Sequence, residues 1–271
     1  MTTRSKIYTG LIFFFLYAPI AVLILFSFNA SDSTAVFAGF SLKWYRELFR
    51  DSATLAALKN TLILAVLSSV IATLIGTAAA VGMYRTKNRL VRGTVESVTN
   101  IPMMNPDIVT GISLMLLFVF VGRLIGATNS LSFATILIAH ITFSIPYVYL
   151  SVMPKLRQMD RSLPEAAMDL GCTPLQAFFK VELPAILPGI LAGFIMVFTL
   201  SLDDFVISYF TVGSGFETLP IRIYSMTKKR VKPDMFALST LMFLVIFLLL
   251  LLSNLSKREK VKKSSHTDGG R

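Results

Sequence analysis

Three carboxylates, Asp107, Asp203 and Asp204, stand within or at the edge of long apolar runs. An ionised side chain there is expensive unless it meets a partner or faces a water-filled path. Few basic residues share those runs, so the negative charge is available to a passing cation. Asp203 and Asp204 are adjacent, and on a helix they point about 100 degrees apart, too far to share one partner easily. Asp107 follows Asn105-Pro106, a helix-breaking pair. Glu96, close behind Arg92, reads as a helix-start or interface residue. His140 reads as a hydrogen-bonded histidine inside a bundle, and Met103 and Met104 as packing residues. The sequence carries no phosphate-binding Gly-x-x-x-x-Gly-Lys-Ser/Thr loop, no nucleophile elbow and no paired-His motif, so an enzyme is not expected. Cys172 is the single cysteine, which excludes an intramolecular disulfide and a multi-Cys metal site.

The elements that must hold these acids are membrane spans. The chain has 271 residues, of which 54% are hydrophobic and 15% charged, more apolar surface than a soluble domain can bury. The net charge of +11 does not read as nucleic-acid binding, because the basic residues gather at the ends of apolar runs. Six spans are expected, about Tyr8 to Phe28, Thr61 to Met83, Val95 to Val121, Leu131 to Met153, Ala185 to Ser208 and Phe236 to Leu252. The first lacks a small-residue cleavage site and reads as an uncleaved span. Between it and the second lies an external segment, with a short helix around Leu42 to Phe49 and with Trp44 and Tyr45 suited to the interface. The second is rich in Gly76, Ala78, Ala79, Ala80 and Gly82, which permit close helix contact. Pro102, Asn105 and Pro106 interrupt the third, marking a broken helix. Sixteen of the 26 Lys and Arg residues fall on one side, which puts both termini in the cytoplasm. Residues 1–254 form the permeating domain on this reading, and 255–271 a basic, disordered tail. The external basic patch at Lys228, Lys229, Arg230 and Lys232 runs against the asymmetry.

Between the fourth and fifth spans, about residues 155–184, lies a polar-to-amphipathic island. Ser162 with Glu165 makes a capping-box pattern with Pro164 in the first turn, and Gly171 suits a left-handed helix stop. Thr173, Pro174 and Gln176 repeat the start signal, and Pro184 ends the second short helix or opens the next segment. Two short helices lodged between spans make a docking surface.

Glu165-Ala166-Ala167, Gly171 and Leu183-Pro184 resemble the EAA loop of the permease subunits of bacterial ABC importers, with Val181 where that family often has Ile. Met104-Asn105-Pro106-Asp107-Ile108-Val109 and Ser201-Leu202-Asp203-Asp204-Phe205-Val206 are similar to segments of the PotC-type permeases of spermidine/putrescine importers. The likeness runs over nearly the whole chain. It implies an all-α polytopic protein of type I ABC importer permease architecture in a bacterial inner membrane, with cytoplasmic coupling helices. It also implies a heterodimer with a second permease subunit, two ATPase subunits that bind ATP and Mg, and a periplasmic polyamine-binding protein. No cofactor is implied in this chain. Glu165, Ala166, Ala167, Gly171, Leu183 and Pro184 would contact the ATPase. Asp107, Asp203 and Asp204 would line the path, with Tyr147 or Tyr149 adding cation–π contact. Two alternatives stand beside this reading: the same role for iron, sulfate, molybdate or phosphonate, and an ion-coupled secondary transporter using His140 and the acids.

Overall fold

The computed structural model describes residues 3–33, 36–127, 129–160, 162–229, 233–248 and 251. These residues are almost entirely helical, with one isolated antiparallel bridge, Asn29 to Phe40. The helices in chain order are α1 (Thr3–Phe26), α2 (Lys43–Leu48), α3 (Ser52–Arg85), α4 (Arg89–Met104), α5 (Asp107–Leu124) and α6 (Phe133–Gln158). They continue as α7 (Ser162–Asp169), α8 (Pro174–Ala177), α9 (Leu183–Asp203), α10 (Val206–Thr211), α11 (Leu219–Lys229) and α12 (Pro233–Leu248). Among the described residues five stretches are long and apolar enough to cross a membrane: Arg4–Phe26, Ser52–Arg85, Asp107–Leu124, Phe133–Gln158 and Pro174–Asp203. The shorter α12 is also apolar. The expected tail, and Arg230 and Lys232 of the expected basic patch, lie outside the described residues.

Two compact units divide the chain, residues 1–57 with 221–271, and residues 58–220. In the first, α1 leaves its apolar side chains exposed, as a helix facing lipid does. The chain then turns on Asn29, which is fully buried. Its amide donates to the carbonyls of Ser33 and Val36, both at 2.8 Å, and its oxygen accepts from the Ala38 amide at 2.8 Å. Trp44, suited by type to a membrane interface, is buried among protein atoms, and its indole nitrogen donates to the Asn29 carbonyl at 2.7 Å. An indole N–H needs an acceptor once buried, and this turn supplies one. Asp51 then caps α3, accepting from the Ala53 amide and the Thr54 hydroxyl, with Arg222 of α11 at 3.2 Å. The Thr54 hydroxyl, followed by the Ala53 amide and Arg222, holds its carboxyl below the usual range against the opposing effect of burial. This cap starts α3 at Ser52, nine residues before the expected Thr61, and shortens the connecting segment accordingly.

The second unit is built on α6 and α9, whose core takes in Val148, Tyr149, Val152 and Leu156 from α6, Ile186 and Val197 from α9, and Ala72 and Ala80 from α3. Gly189 and Gly193, four apart on α9, form a small-residue stripe against α6. A Cβ on Gly189 would come within 2.8 Å of the Ser151 carbonyl, and one on Gly193 within 3.2 Å of the Val148 Cα. Gly76 of α3 faces Val148 in the same manner, at 2.7 Å. Three helices therefore approach closely at one level of α6.

The third expected span is two helices. Asn105 takes an extended conformation, ψ 140°, as a residue preceding proline must, and α5 begins at Asp107. Only α5 is long and apolar enough to span, while α4 is amphipathic and buries no side chain. The expected fifth span also ends early, because α9 stops at Asp203 and α10 restarts at Val206. At its other end α9 continues α8 through a five-residue π turn, Phe178–Glu182. Pro184 therefore opens the long segment without a break. The widened turn sits directly ahead of the proline ring, which would otherwise clash with the carbonyl four residues back.

The close approach of α9 to α6 leaves no room for a branched side chain at Gly189. Gly189→Val is expected to destabilise the folded chain by about 1–3 kcal/mol, read as a lower thermal unfolding midpoint in detergent. An unchanged midpoint would refute the contact.

Candidate functional site

Interrupting an apolar helix leaves backbone donors and acceptors without partners, and they must be met locally. At the break after α9, Asp204 is extended, with ψ 118°, and its carboxylate meets the donors of the next turn. One oxygen accepts from the Ile207 amide at 3.3 Å and the other from the Ser208 amide at 2.7 Å. Nε2 of His140 on α6 lies 3.4 Å from that second oxygen and 3.0 Å from the Ser208 hydroxyl. On its other side, Nδ1 lies 2.7 Å from the Ser201 hydroxyl, which is 3.1 Å from the Ser68 hydroxyl on α3. His140, Ser68, Ser201 and Ser208 are all buried. The tautomer with its proton on Nε2 presents a donor to the carboxylate, leaving Nδ1 to accept from Ser201. One polar chain thus crosses α3, α6, α9 and α10.

The three sequence-predicted acids have different surroundings. The Asp204 side chain is 10% exposed and fully engaged. Asp203, one residue earlier, is exposed and makes no ion pair among the described residues. Asp107 is exposed in the first turn of α5, where a negative charge suits the helix end, and likewise makes no ion pair among the described residues. It lies one turn before Gly111, where an added Cβ would fall 3.0 Å from Phe210 and 3.5 Å from the Val206 carbonyl of α10. The α5–α10 contact is what relates Asp107 to the Asp203–Asp204 break, and no hydrogen bond links them. Tyr149, expected beside a passing cation, is 3% exposed within the core, with Tyr147 packed against the same cluster.

The island between α6 and α9 folds as paired short helices. Ser162 begins α7, and the cap is Asp160, which accepts from the Ser162 amide at 3.0 Å. That bond and the Ser162 hydroxyl hold the Asp160 carboxyl below its usual range. The expected Ser162–Glu165 box is not formed, since Ser162 already lies inside the helix. Gly171 stops α7 at φ +91°, with the Cys172 amide bonded to the Ala167 carbonyl and the Gly171 amide to that of Met168. This is a Schellman stop. Thr173 and Gln176 exchange both bonds of a capping box ahead of α8. Glu165, Ala166 and Pro184 are exposed, and Ala167 and Leu183 half-buried. Glu182, which the sequence reading did not single out, is buried and takes both its bonds from Arg85, at 2.8 and 2.9 Å, pinning the base of α9 to the end of α3. Nothing in the spacing announces a pair separated by 97 residues.

Removing the imidazole strips Asp204 of a neighbour and leaves buried hydroxyls without a partner. His140→Ala is expected to cost about 1–3 kcal/mol of stability, with His140→Gln recovering part of it in the same thermal unfolding measurement.

Residues 72–259 match the sequence family described as binding-protein-dependent transport system inner membrane component. Among curated proteins, the chain is 43% identical over 229 residues to the putrescine transport system permease protein PotI of Escherichia coli K12, covering 84% of this chain and 82% of that one. It is 39% identical over 251 residues to the spermidine/putrescine transport system permease protein PotC of the same strain, covering 93% and 92%. Among solved structures it superposes on a chain of a bacterial ABC transporter involved in the import of the acidic polysaccharide alginate. The TM-score is 0.73 at 15% identity, over 94% of each chain. Against the inward-facing MetNI methionine ABC transporter the TM-score is 0.58 at 20% identity, over 81% of this chain and 99% of that one. Those two structural likenesses carry the fold alone. With a family match over most of its length and two long relatives near 40% identity, the chain belongs to the inner membrane components of binding-protein-dependent transport systems.

Proposed function

We propose that this chain is one permease subunit of an ATP-driven importer that carries polyamines such as putrescine and spermidine from periplasm to cytoplasm. The observation that supports this most is the identity to PotI and PotC over most of the chain. The acids add a physical reason, because a polyamine with two or three positive charges crosses a region of low dielectric only against fixed negative charge. In this reading Asp203 and Asp107, exposed and without an ion pair among the described residues, meet the cargo. Asp204 has a double duty, since its carboxylate also holds the α9–α10 break.

The partners on this reading are a second permease subunit, two ATPase subunits and a periplasmic binding protein. Both termini lie in the cytoplasm, so that α7 and the turn at Gly171 face the ATPase. Glu165, Ala166 and Ala167 form the contacting helix, and Leu183-Pro184 begins the helix that carries its movement toward the acids. ATP and Mg belong to the partner. Transport of an anion such as sulfate or molybdate would call for cations where Asp107 and Asp203 stand.

The test is uptake of labelled putrescine and spermidine by proteoliposomes holding the complete transporter. Accumulation that requires ATP and the binding protein is expected, competed by unlabelled polyamine and not by sulfate. ATP hydrolysis without polyamine uptake would overturn the cargo. Within that assay Asp203→Asn and Asp107→Asn are each expected to lower uptake about tenfold, roughly the loss of one charge interaction at a partly solvated site, with unchanged unfolding midpoints. Asp204→Asn is expected to lower both uptake and midpoint. At Gly171 any side chain is strained in the left-handed region by about 1–2 kcal/mol. Gly171→Val is therefore expected to raise the ATP hydrolysed per polyamine imported, and an unchanged ratio would remove the coupling role.

A further inference from the structure

The end of α3, the start of α4 and the α7–α8 turn enclose a cleft of about 570 Å³, a size within the usual range of small-molecule sites. Its two walls differ in chemistry. One carries Arg85, Lys87, Arg89 and Arg92. The other is mostly apolar, with Met159, Pro164 and Met168 beside Glu165.

Two of the four cations are already committed. Arg85 is held by Glu182, with its guanidinium 5.7 Å from the Phe178 ring centroid, and Arg92 bonds Glu96 at 3.2 Å. Glu96 in turn takes Arg157 at 2.6 Å, which fixes α4 to α6. Lys87 and Arg89 remain, exposed and making no ion pair among the described residues. Glu165 lies across the cleft with no ion pair among the described residues either, so the uncommitted lining is net positive by one charge. We propose that this cleft binds a phosphate-bearing anion, in its best-fitting form the headgroup of an anionic phospholipid, between Lys87 and Arg89 on one side and α7 on the other.

The apolar wall is the reason to favour a lipid over a free ion. A phosphate alone would use the two cations and leave the methionine-lined half empty. A phosphoglycerol headgroup would put its phosphate on Lys87 and Arg89, offer its hydroxyl donors to Glu165, and lay its first methylenes along Met159 and Met168. The position fits as well, since the apolar run of α3 gives way to Arg85, Lys87 and Arg89 beside the cleft, where headgroups lie. Next to its mouth α4 presents Leu90, Val91, Val98, Ile101 and Met104, all exposed and on one stripe, the pattern of a helix lying in the membrane interface. A ligand seated here touches both the α3–α4 corner and the helix that carries Glu165.

The test uses the full chain in its assembled complex in detergent. It is titrated with phosphatidylglycerol, with phosphatidylcholine of the same chains, and with inorganic phosphate, reading the thermal unfolding midpoint and lipid retained in native mass spectrometry. Phosphatidylglycerol is expected to raise the midpoint and be retained, phosphatidylcholine is not, and the effect is expected to weaken with ionic strength. Lys87→Gln with Arg89→Gln should keep the unliganded midpoint and need about tenfold more phosphatidylglycerol, about 1.4 kcal/mol. The control Arg46→Gln with Arg50→Gln, exposed cations elsewhere in the chain, should behave as wild type. A midpoint shift with inorganic phosphate alone, lost in the Lys87/Arg89 variant, would support the site and assign it to a soluble anion. Equal responses to the two lipids with none to phosphate, or equal responses of variant and wild type, would overturn the proposal.

Discussion

At the end of an apolar helix, Asp204 has to find donors or lose its charge, and the first free amides of α10 are the donors nearest to it. That mutual need explains why the helix can be interrupted here at all. An unmet carboxylate or an unmet amide away from water each costs several kcal/mol, and together they cancel most of each other's penalty. The amides of Ile207 and Ser208 meet one oxygen each, and His140 from α6 approaches the oxygen that Ser208 already holds. The imidazole then requires a partner for its second nitrogen and takes Ser201, which reaches Ser68. Each hydrogen-bonding group brings in the next helix, so the positions of α3, α6 and α10 around α9 follow from one charged group in an apolar setting.

Such a chain of bonds has a narrow tolerance in distance, and the glycines of α9 set that distance. A side chain at Gly189 or Gly193 would push α6 outward by the thickness of a methyl group or more. His140 sits on α6 some two turns from Val148, within the same rigid helix, so the displacement would reach its contact with Ser201. Apolar packing and polar satisfaction are therefore not separate contributions in this unit. The small residues permit the polar contacts, and the polar contacts fix the order in which helices pack.

Much of this was legible in the sequence, because local chemistry announces itself locally. The apolar runs, the break at Asn105-Pro106, the stop at Gly171 and the Thr173–Gln176 box all depend on residues within four positions of one another, and the structure forms each of them. What was not legible depends on partners far apart in the chain. Glu182 is met by Arg85, which as a sequence feature is one of several cations marking the end of a span. Trp44 has the composition of an interface residue, and only the fold of the Asn29 turn draws it inside. Tyr149 likewise sits on a helix whose exposed and buried faces become distinct only once α9 covers it. Asp203 and Asp204 look alike in sequence, and the backbone turn between them is what separates a tied carboxylate from an exposed one. The early end of α9 belongs to the same class, since nothing in Leu202-Asp203-Asp204-Phe205 excludes a continued helix until His140 and Ser208 are placed around it.

The two ends of the α8–α9 segment then acquire related physical characters. From Pro174 to Asp203 the chain is helical without interruption, 30 residues, or about 45 Å at 1.5 Å per residue. It is anchored at the last residue of the π turn by the Glu182–Arg85 pair and just past its other end by the Asp204 cap, and both anchors involve a carboxylate screened from water. Between them the helix is packed on α6 through glycines, which resists bending more than long, adaptable side chains would. Its hydrogen-bond ladder is widened at the π turn, Phe178–Glu182, and lacks one donor at Pro188. A displacement applied at α7 and α8 thus meets the widened turn first and, beyond it, a rod held against α6. If the rod moves, it moves as a unit, and the exposed carboxylate of Asp203 at its far end moves with it. Coupling by this route needs no wire of successive side chains, only a helix held firmly enough at two points that a shift at one is felt at the other.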